Sequence, residues 1–231
     1  MWDRQRLRDG IKIALPVCIG VLPVGISYGL LARQSGLSLL QTIAMSILVL
    51  AGSSQIMACG MLVQGATFPT IVLATFFLNL RHSIMSSSIF SRLKNVTLKE
   101  KLLLAYALTD ESFALFSLNS NRSDDKSFLL GINFMIAATW FSSSFIGALA
   151  EAALPAIVSK SLGIALYAAF AAILIPKLAL SKALFLVVIL TMLLNTGLVL
   201  LMPQGVALVI AMLGGAGAGV WLIPDLEMEG L

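Results

Sequence analysis

Ala183-Leu-Phe-Leu-Val-Val-Ile-Leu-Thr-Met-Leu-Leu194 and Ile43-Ala-Met-Ser-Ile-Leu-Val-Leu50 are almost unbroken apolar runs. A strand of a membrane barrel alternates lipid-facing and lumen-facing residues over about ten positions, and neither run does so. A helix satisfies every backbone group internally, as hydrocarbon requires, so both runs read as transmembrane helix. The rest of the chain agrees: 59% of its 231 residues are hydrophobic and only 11% are charged. An ordinary soluble domain carries about 25% charged residues.

Runs long enough to cross a hydrocarbon layer of about 30 Å recur along the chain. They predict helices at 12–32, 39–62, 67–90, 102–118, 128–150, 161–179, 183–201 and 205–223. The expected fold is an all-α integral membrane bundle of about seven to eight helices. The connectors Ser35-Gly-Leu-Ser38 and Gln64-Gly-Ala-Thr67 are short, so residues 1–231 are expected to form a single polytopic domain. The first apolar run follows Arg4, Arg6, Arg8 and Lys12 in the manner of a signal sequence. It is too long for a cleaved signal, so an uncleaved first helix is expected.

Gly29-Leu-Leu-Ala32 is answered by Gly147-Ala-Leu-Ala150, and Thr75-Phe-Phe-Leu-Asn79 by Thr191-Met-Leu-Leu-Asn195, at nearly equal intervals. Two structural repeats with a site at their interface are one reading, and chance similarity in an apolar chain is the other. If all eight spans cross, the repeats are parallel; if 102–118 does not, they are inverted. Charge raises a conflict. The basic N-terminus and the basic stretch Arg92, Lys94, Lys99, Lys101 should both be cytoplasmic, yet three full crossings between them forbid it. Either 39–62 is a re-entrant or broken segment, interrupted at Ala51-Gly-Ser-Ser-Gln55, or one loop violates the rule; the first is the expectation.

Ionisable side chains inside the membrane are costly and mark functional sites by default. They fall in two clusters, Asn79-Leu-Arg81-His82 and Thr109-Asp110-Glu111-Ser112. In 102–118 the leucines and phenylalanines contribute about −2 to −5 kcal/mol to insertion, whereas Asp110 and Glu111 cost about +5 to +7. Both carboxylates must therefore face a cavity, the bundle interior or a partner charge. Adjacent helical residues diverge by about 100°, so one carboxylate is expected to pair with Arg81 while the other meets solute or protons. A purely structural ion pair is the competing reading. Asn79 and His82 share a helix face. His82 is a candidate proton-sensitive group or a packed, hydrogen-bonded side chain.

A break at Gly52, Ser53, Ser54 and Gln55 would present the N-terminus of a half-helix, a ready site for a carboxylate. The same hydroxyls could instead satisfy a kinked backbone without a ligand. One histidine and two cysteines give no metal-ligand set, and no metal or cofactor is expected. Cys18 and Cys59 lie in apolar runs and read as packing residues. The net charge of +4 sits in loops, suiting lipid headgroups rather than nucleic acid. Gly25-Ile-Ser-Tyr-Gly29 fits the nucleophile-elbow pattern, which belongs at a strand-to-helix turn, not within an apolar helix. An intramembrane serine hydrolase, with His82 as base, and a non-transporting assembly subunit are the alternatives to a transporter. Close helix packing accounts better for Gly25-xxx-Gly29 and Gly215-xxx-Gly219.

Pro23-Val-Gly-Ile-Ser-Tyr-Gly29, Ala51-Gly-Ser-Ser-Gln55, Asn79-Leu-Arg-His82 and Thr109-Asp-Glu-Ser-Phe-Ala114 together resemble the large subunit of bacterial branched-chain amino-acid exporters, the AzlC-type permeases. The resemblance covers 10–118 in order and continues in hydropathy. It implies a secondary transporter of the bacterial inner membrane, not an enzyme, exporting leucine, isoleucine and valine with a small multi-helix membrane subunit. The candidate substrate-binding or coupling residues, read from their cost in hydrocarbon and from the break, are Asp110, Glu111, Arg81, His82, Asn79, Gly52, Ser53, Ser54 and Gln55. The family often has Phe where this chain has Val24 and Ile56, which bears on pocket size. Without a G-x-x-x-x-G-K-[ST] loop for ATP, an ion or solute gradient is the expected driving force, and protons carried by Asp110, Glu111 or His82 are the simplest form.

Overall fold

A computed structural model describes residues 2–93, 96–119, 125–151, 175, 178, 179, 181–202 and 204–222. Among them nine helices are delimited and no strand is present: α1 (Arg4–Gln34), α2 (Leu39–Val49), α3 (Gly52–Val63), α4 (Phe68–Arg92), α5 (Leu98–Tyr106), α6 (Asp110–Leu118), α7 (Lys126–Ala150), α8 (Lys182–Val199) and α9 (Gln204–Leu222). α1, α4, α7 and α8 are long and apolar enough to cross a membrane. The expected helix at 161–179 lies largely outside the described residues.

Two expectations change. Segment 102–118 is not one helix: α5 ends at Tyr106 and α6 begins at Asp110. Thr109 caps α6 by accepting from Ser112 N, and this cap outcompetes continuation of the helix. Segment 39–62 is interrupted as expected, but earlier than Gly52. α2 stops at Leu50, which adopts a left-handed conformation (φ 44°), and Gly52-Ser53-Ser54-Gln55 form the first turn of α3.

The described chain divides into two compact units, one made of Met1–Cys59 and Leu78–Gly163, the other of Gly60–Phe77 and Ile164–Leu231. The first is built on α1 and α7, which run parallel. Phe128 lies against Gly10, Ser143 against Gly25 and Ala148 against Gly29, so the register holds over the full length. The glycines explain how two helices approach this closely. A Cβ on Gly10 or Gly29 would be driven into the backbone of Phe128 or Ser144, and one on Gly131 or Gly147 into the carbonyl oxygens of Leu7 or Ile26. In lipid, where no hydrophobic effect draws helices together, such backbone approach is the main source of attraction. Gly29 and Gly147, matched in the sequence repeat, face each other here.

Contacts along α7 fix the direction of the short helices. α1 ends at Gly36 (φ 89°), where Leu37 N bonds the Ala32 carbonyl at 3.1 Å. α2 then runs back: Tyr28 Oη donates to the Thr42 carbonyl (3.1 Å) and Ser46 Oγ to Ser144 Oγ (3.0 Å). After the Leu50 turn, Gly52 and Gln55 lie against Trp140, near the middle of α7. Cys59, further along α3, neighbours Ser35 and Tyr28 at the end from which α2 set out. α2 and α3 therefore form a re-entrant hairpin.

α5 and α6 form a second hairpin that enters from the opposite end. Glu100, at the start of α5, meets Lys126, the first residue of α7, at 2.6 Å. Leu104 then accepts from Asn133 Nδ2 at 3.0 Å, deeper in the bundle. α6 returns, placing Phe116 beside Phe128. Ala14, Cys18, Ile89, Leu104, Leu108, Phe116, Phe128 and Ile132 share one buried apolar cluster between these elements. At the hairpin tips, Tyr106 Oη donates to the Ile47 carbonyl, filling an acceptor that the end of α2 leaves open.

This arrangement removes the charge conflict. Arg6 pairs with Asp125 (3.4 Å), and Asp3 N donates to Ser127 Oγ (3.0 Å), so the N-terminus sits at the end where α5 and α7 begin. The Lys126 ammonium, with the backbone N–H of Thr97, holds the Glu100 carboxyl down to about 2. Arg4, Arg6, Arg8, Lys12, Arg92, Lys99 and Lys101 gather at that end, which the positive-inside rule assigns to the cytoplasm. In the second unit α8 packs against α9, with Gly215 seated against Thr191 and Gly214 against Leu194.

Single cysteines at Gln5 and Lys99, in a background lacking Cys18 and Cys59, are both expected to react only from the cytoplasmic side, and one at Gly36 only from the opposite side. Labelling of Gln5 and Lys99 from different sides would mean that α2–α3 crosses fully. Gly147→Leu is expected to abolish folded yield, whereas Gly60→Ala, which meets nothing within 4 Å, is expected to leave it unchanged in size-exclusion profiles.

Candidate functional site

The two hairpin breaks and the polar stretch of α4 converge. Ser53 lies in the first turn of α3, Asp110 is the first residue of α6, and Arg81 reaches both from α4. Arg81 Nη2 stands 2.9 Å from Asp110 Oδ2 and donates to Ser53 Oγ at 3.2 Å. Three segments separate in sequence, each singled out by its polar residues, thus meet at one guanidinium. Neither partner is sealed off: the Arg81 and Asp110 side chains are 37% and 45% exposed. Arg81 Nε is buried and has no acceptor.

Charges of both signs meet here, with Asp110 and Glu111 both in the first turn of α6. The N-termini of α3 and α6 each carry roughly half a positive charge. Ala51, the residue before α3, has no side chain able to cap it, unlike Thr109 before α6. Arg81 adds a full positive charge between them, and Asp110 offsets it. Glu111, next to Asp110, is exposed and forms no hydrogen bond or ion pair among the described residues. His82 lies within electrostatic reach of Arg81, Asp110 and Glu111. Asn79 Oδ1 is buried without a donor, one helical turn from His82. The described residues contain no group of three or more histidines, cysteines and carboxylates able to hold a metal.

Gln55 and Ser54 are fully buried. Ser54 Oγ donates to the Ala51 carbonyl at 2.9 Å, so this hydroxyl satisfies the broken backbone. Gln55 Oε1 accepts from Trp140 Nε1 at 3.2 Å, while its Nε2 faces the Tyr28 hydroxyl without a well-formed hydrogen bond. Tyr28 and Trp140 stack with centroids 5.6 Å apart. Gly52 is required beneath this pair, because a Cβ there would meet the Trp140 ring at 2.7 Å. Ser27 Oγ donates to the Pro23 carbonyl at 2.9 Å inside α1, so the G-x-S-x-G pattern lies mid-helix.

Sequence reasoning passed over Trp140, Tyr28 and Tyr106. Each is an aromatic with a polar tip in an apolar stretch, and a buried tip needs a partner. With only three tryptophans and three tyrosines in the chain, that rarity was the available signal.

These features define a multi-pass helical membrane protein whose polar centre is held between two half-helices. The AzlC protein family matches residues 16–154. Over 170 residues the chain is 32% identical to the Inner membrane protein YgaZ of Escherichia coli (strain K12), covering 70% of this chain and 69% of that one. It is 33% identical to an uncharacterized membrane protein of Archaeoglobus fulgidus over 74% of this chain and 75% of that one. It is 28% identical to the Branched-chain amino acid transport protein AzlC of Bacillus subtilis (strain 168) over 61% of this chain and 56% of that one. The chain belongs to the AzlC family and has a transport role. No solved structure matches it.

A double-mutant cycle on folded yield or thermal unfolding is expected to show coupling between Arg81→Gln and Asp110→Asn, and none between Arg81→Gln and Glu111→Gln. For a half-exposed pair the coupling is expected near the low end of the range for interacting neighbours, about 1 kcal/mol.

Proposed function

We propose that the chain is a secondary exporter of branched-chain amino acids, working with a small membrane subunit, and that its solute binds where Arg81 meets α3 and α6. The observation that carries this reading is the Arg81 link to Ser53 and Asp110 at the ends of two half-helices. A half-helix N-terminus inside a membrane suits the carboxylate of an amino acid. Asp110, Glu111 and the orphan Asn79 Oδ1 suit its ammonium. Ile56, one residue beyond Gln55, and Val24 on α1 are the candidate apolar contacts for the solute side chain.

Two hairpins entering from opposite ends leave only their tips between the two aqueous sides, so modest movement of one tip alternates access. Glu111, exposed and in no ion pair among the described residues, is the candidate proton carrier. The relative named for branched-chain amino-acid transport supports the solute class. A scaffold subunit without transport would have no use for an Arg–carboxylate pair half open at mid-depth.

Vesicles containing the full chain and the small subunit are expected to release radiolabelled leucine down an imposed proton gradient, and vesicles with the chain alone to release it slowly. Glu111→Gln is expected to remove the response to the gradient while membrane expression holds. Leucine, isoleucine and valine all failing to move in the paired system would overturn the solute class.

A further inference from the structure

Arg81 and Asp110 present opposite charges 2.9 Å apart in the arrangement that an amino acid's carboxylate and ammonium would replace. We propose that Asp110 sets the charge specificity of this site by occupying Arg81 until a zwitterion displaces it, so that monoanions and monocations of the same carbon skeleton are rejected. The inference rests on the solute reading above and deepens it.

A zwitterion exchanges one ion pair for two. Its carboxylate takes the guanidinium, and its ammonium takes the released Asp110 carboxylate. The guanidinium is ready for that exchange. Its Nε has no acceptor, so a carboxylate arriving on the fork gains a hydrogen bond that Asp110 leaves unmade. Ser53 continues to hold the guanidinium through Nη2 while Asp110 moves. The exposure of both side chains gives the solute a path to them.

A monoanion finds a different balance. To reach Arg81 it must expel Asp110 and leave that carboxylate without its counter-charge, so a monoanion replaces one half-exposed ion pair with another and gains none. A monocation on Asp110 strands Arg81 in the same way. Glu111 and His82 also lie nearby; a monocation held on the exposed Glu111 leaves Arg81 on Asp110 and gains no bond to the guanidinium fork, whereas a zwitterion gains one.

The test is equilibrium dialysis of the purified full chain in detergent against radiolabelled leucine, 4-methyl-2-oxopentanoate, which lacks the ammonium, and 3-methylbutylamine, which lacks the carboxylate. The parental chain is expected to bind leucine at least about tenfold more tightly than either analogue, the scale of one charged hydrogen bond. Asp110→Asn is expected to weaken leucine by at least about tenfold and to bring the keto acid to equal or tighter binding. Asp110→Glu, which keeps the charge, is expected to retain the parental order and shows that the site tolerates substitution. Asp110→Asn binding the three compounds in the parental order would overturn the inference alone. Parental chain that binds keto acid as tightly as leucine would do the same. Failure of the parental chain to bind leucine at all would overturn the solute reading and this inference together.

Discussion

Where a helix ends inside hydrocarbon, its unpaired N–H and C=O groups need partners that lipid cannot supply. The described residues contain four such ends, at the tips of two hairpins, and this part of the fold is organised around covering them. The parallel pair α1 and α7 forms the wall. Because glycine at positions 10, 29, 131 and 147 lets the two backbones touch, the wall is thin and continuous, and both hairpins can lie against it. Trp140, Ser144 and Asn133 on α7 then reach the α2–α3 and α5–α6 hairpins through side-chain hydrogen bonds.

Covering the ends does not neutralise them. Tyr106 Oη meets the Ile47 carbonyl at the end of α2, while the N-terminus of α3 has no capping side chain and that of α6 has Asp110 and Glu111 in its first turn. Arg81 lies between these ends, and among the described residues Asp110 and Ser53 hold its side chain. The centre is thus polarised and partly satisfied, with the buried Nε of Arg81 and Oδ1 of Asn79 left open. A site built for rigidity alone would close those groups. One that exchanges partners with a passing solute keeps donor and acceptor capacity in reserve.

The membrane-spanning character, the helices at α1, α4, α7 and α8, and the polar clusters at 79–82 and 109–112 were legible in the sequence because each depends on residues near one another along the chain. The interruption near residue 51 was legible too, since small and polar residues there cannot sustain an apolar helix. The interruption at Ala107-Leu108-Thr109 was not, because apolar residues lead into it and only the Thr109 cap reveals a new start. Summing transfer energies over 102–118 treated as continuous a segment that folds back on itself.

What the sequence by itself determined is the solvent of this protein and the identity of the few side chains that the solvent makes expensive. What only the tertiary structure decided is their pairing: that Asp110 takes Arg81 while Glu111 forms no ion pair among the described residues, and that the α2–α3 and α5–α6 hairpins enter from opposite ends. Adjacent carboxylates have the same local chemistry and the same cost, so no pattern along the chain separates them. The direction in which α6 leaves its cap separates them, and that direction is set by where α7 places Phe128 and Asn133.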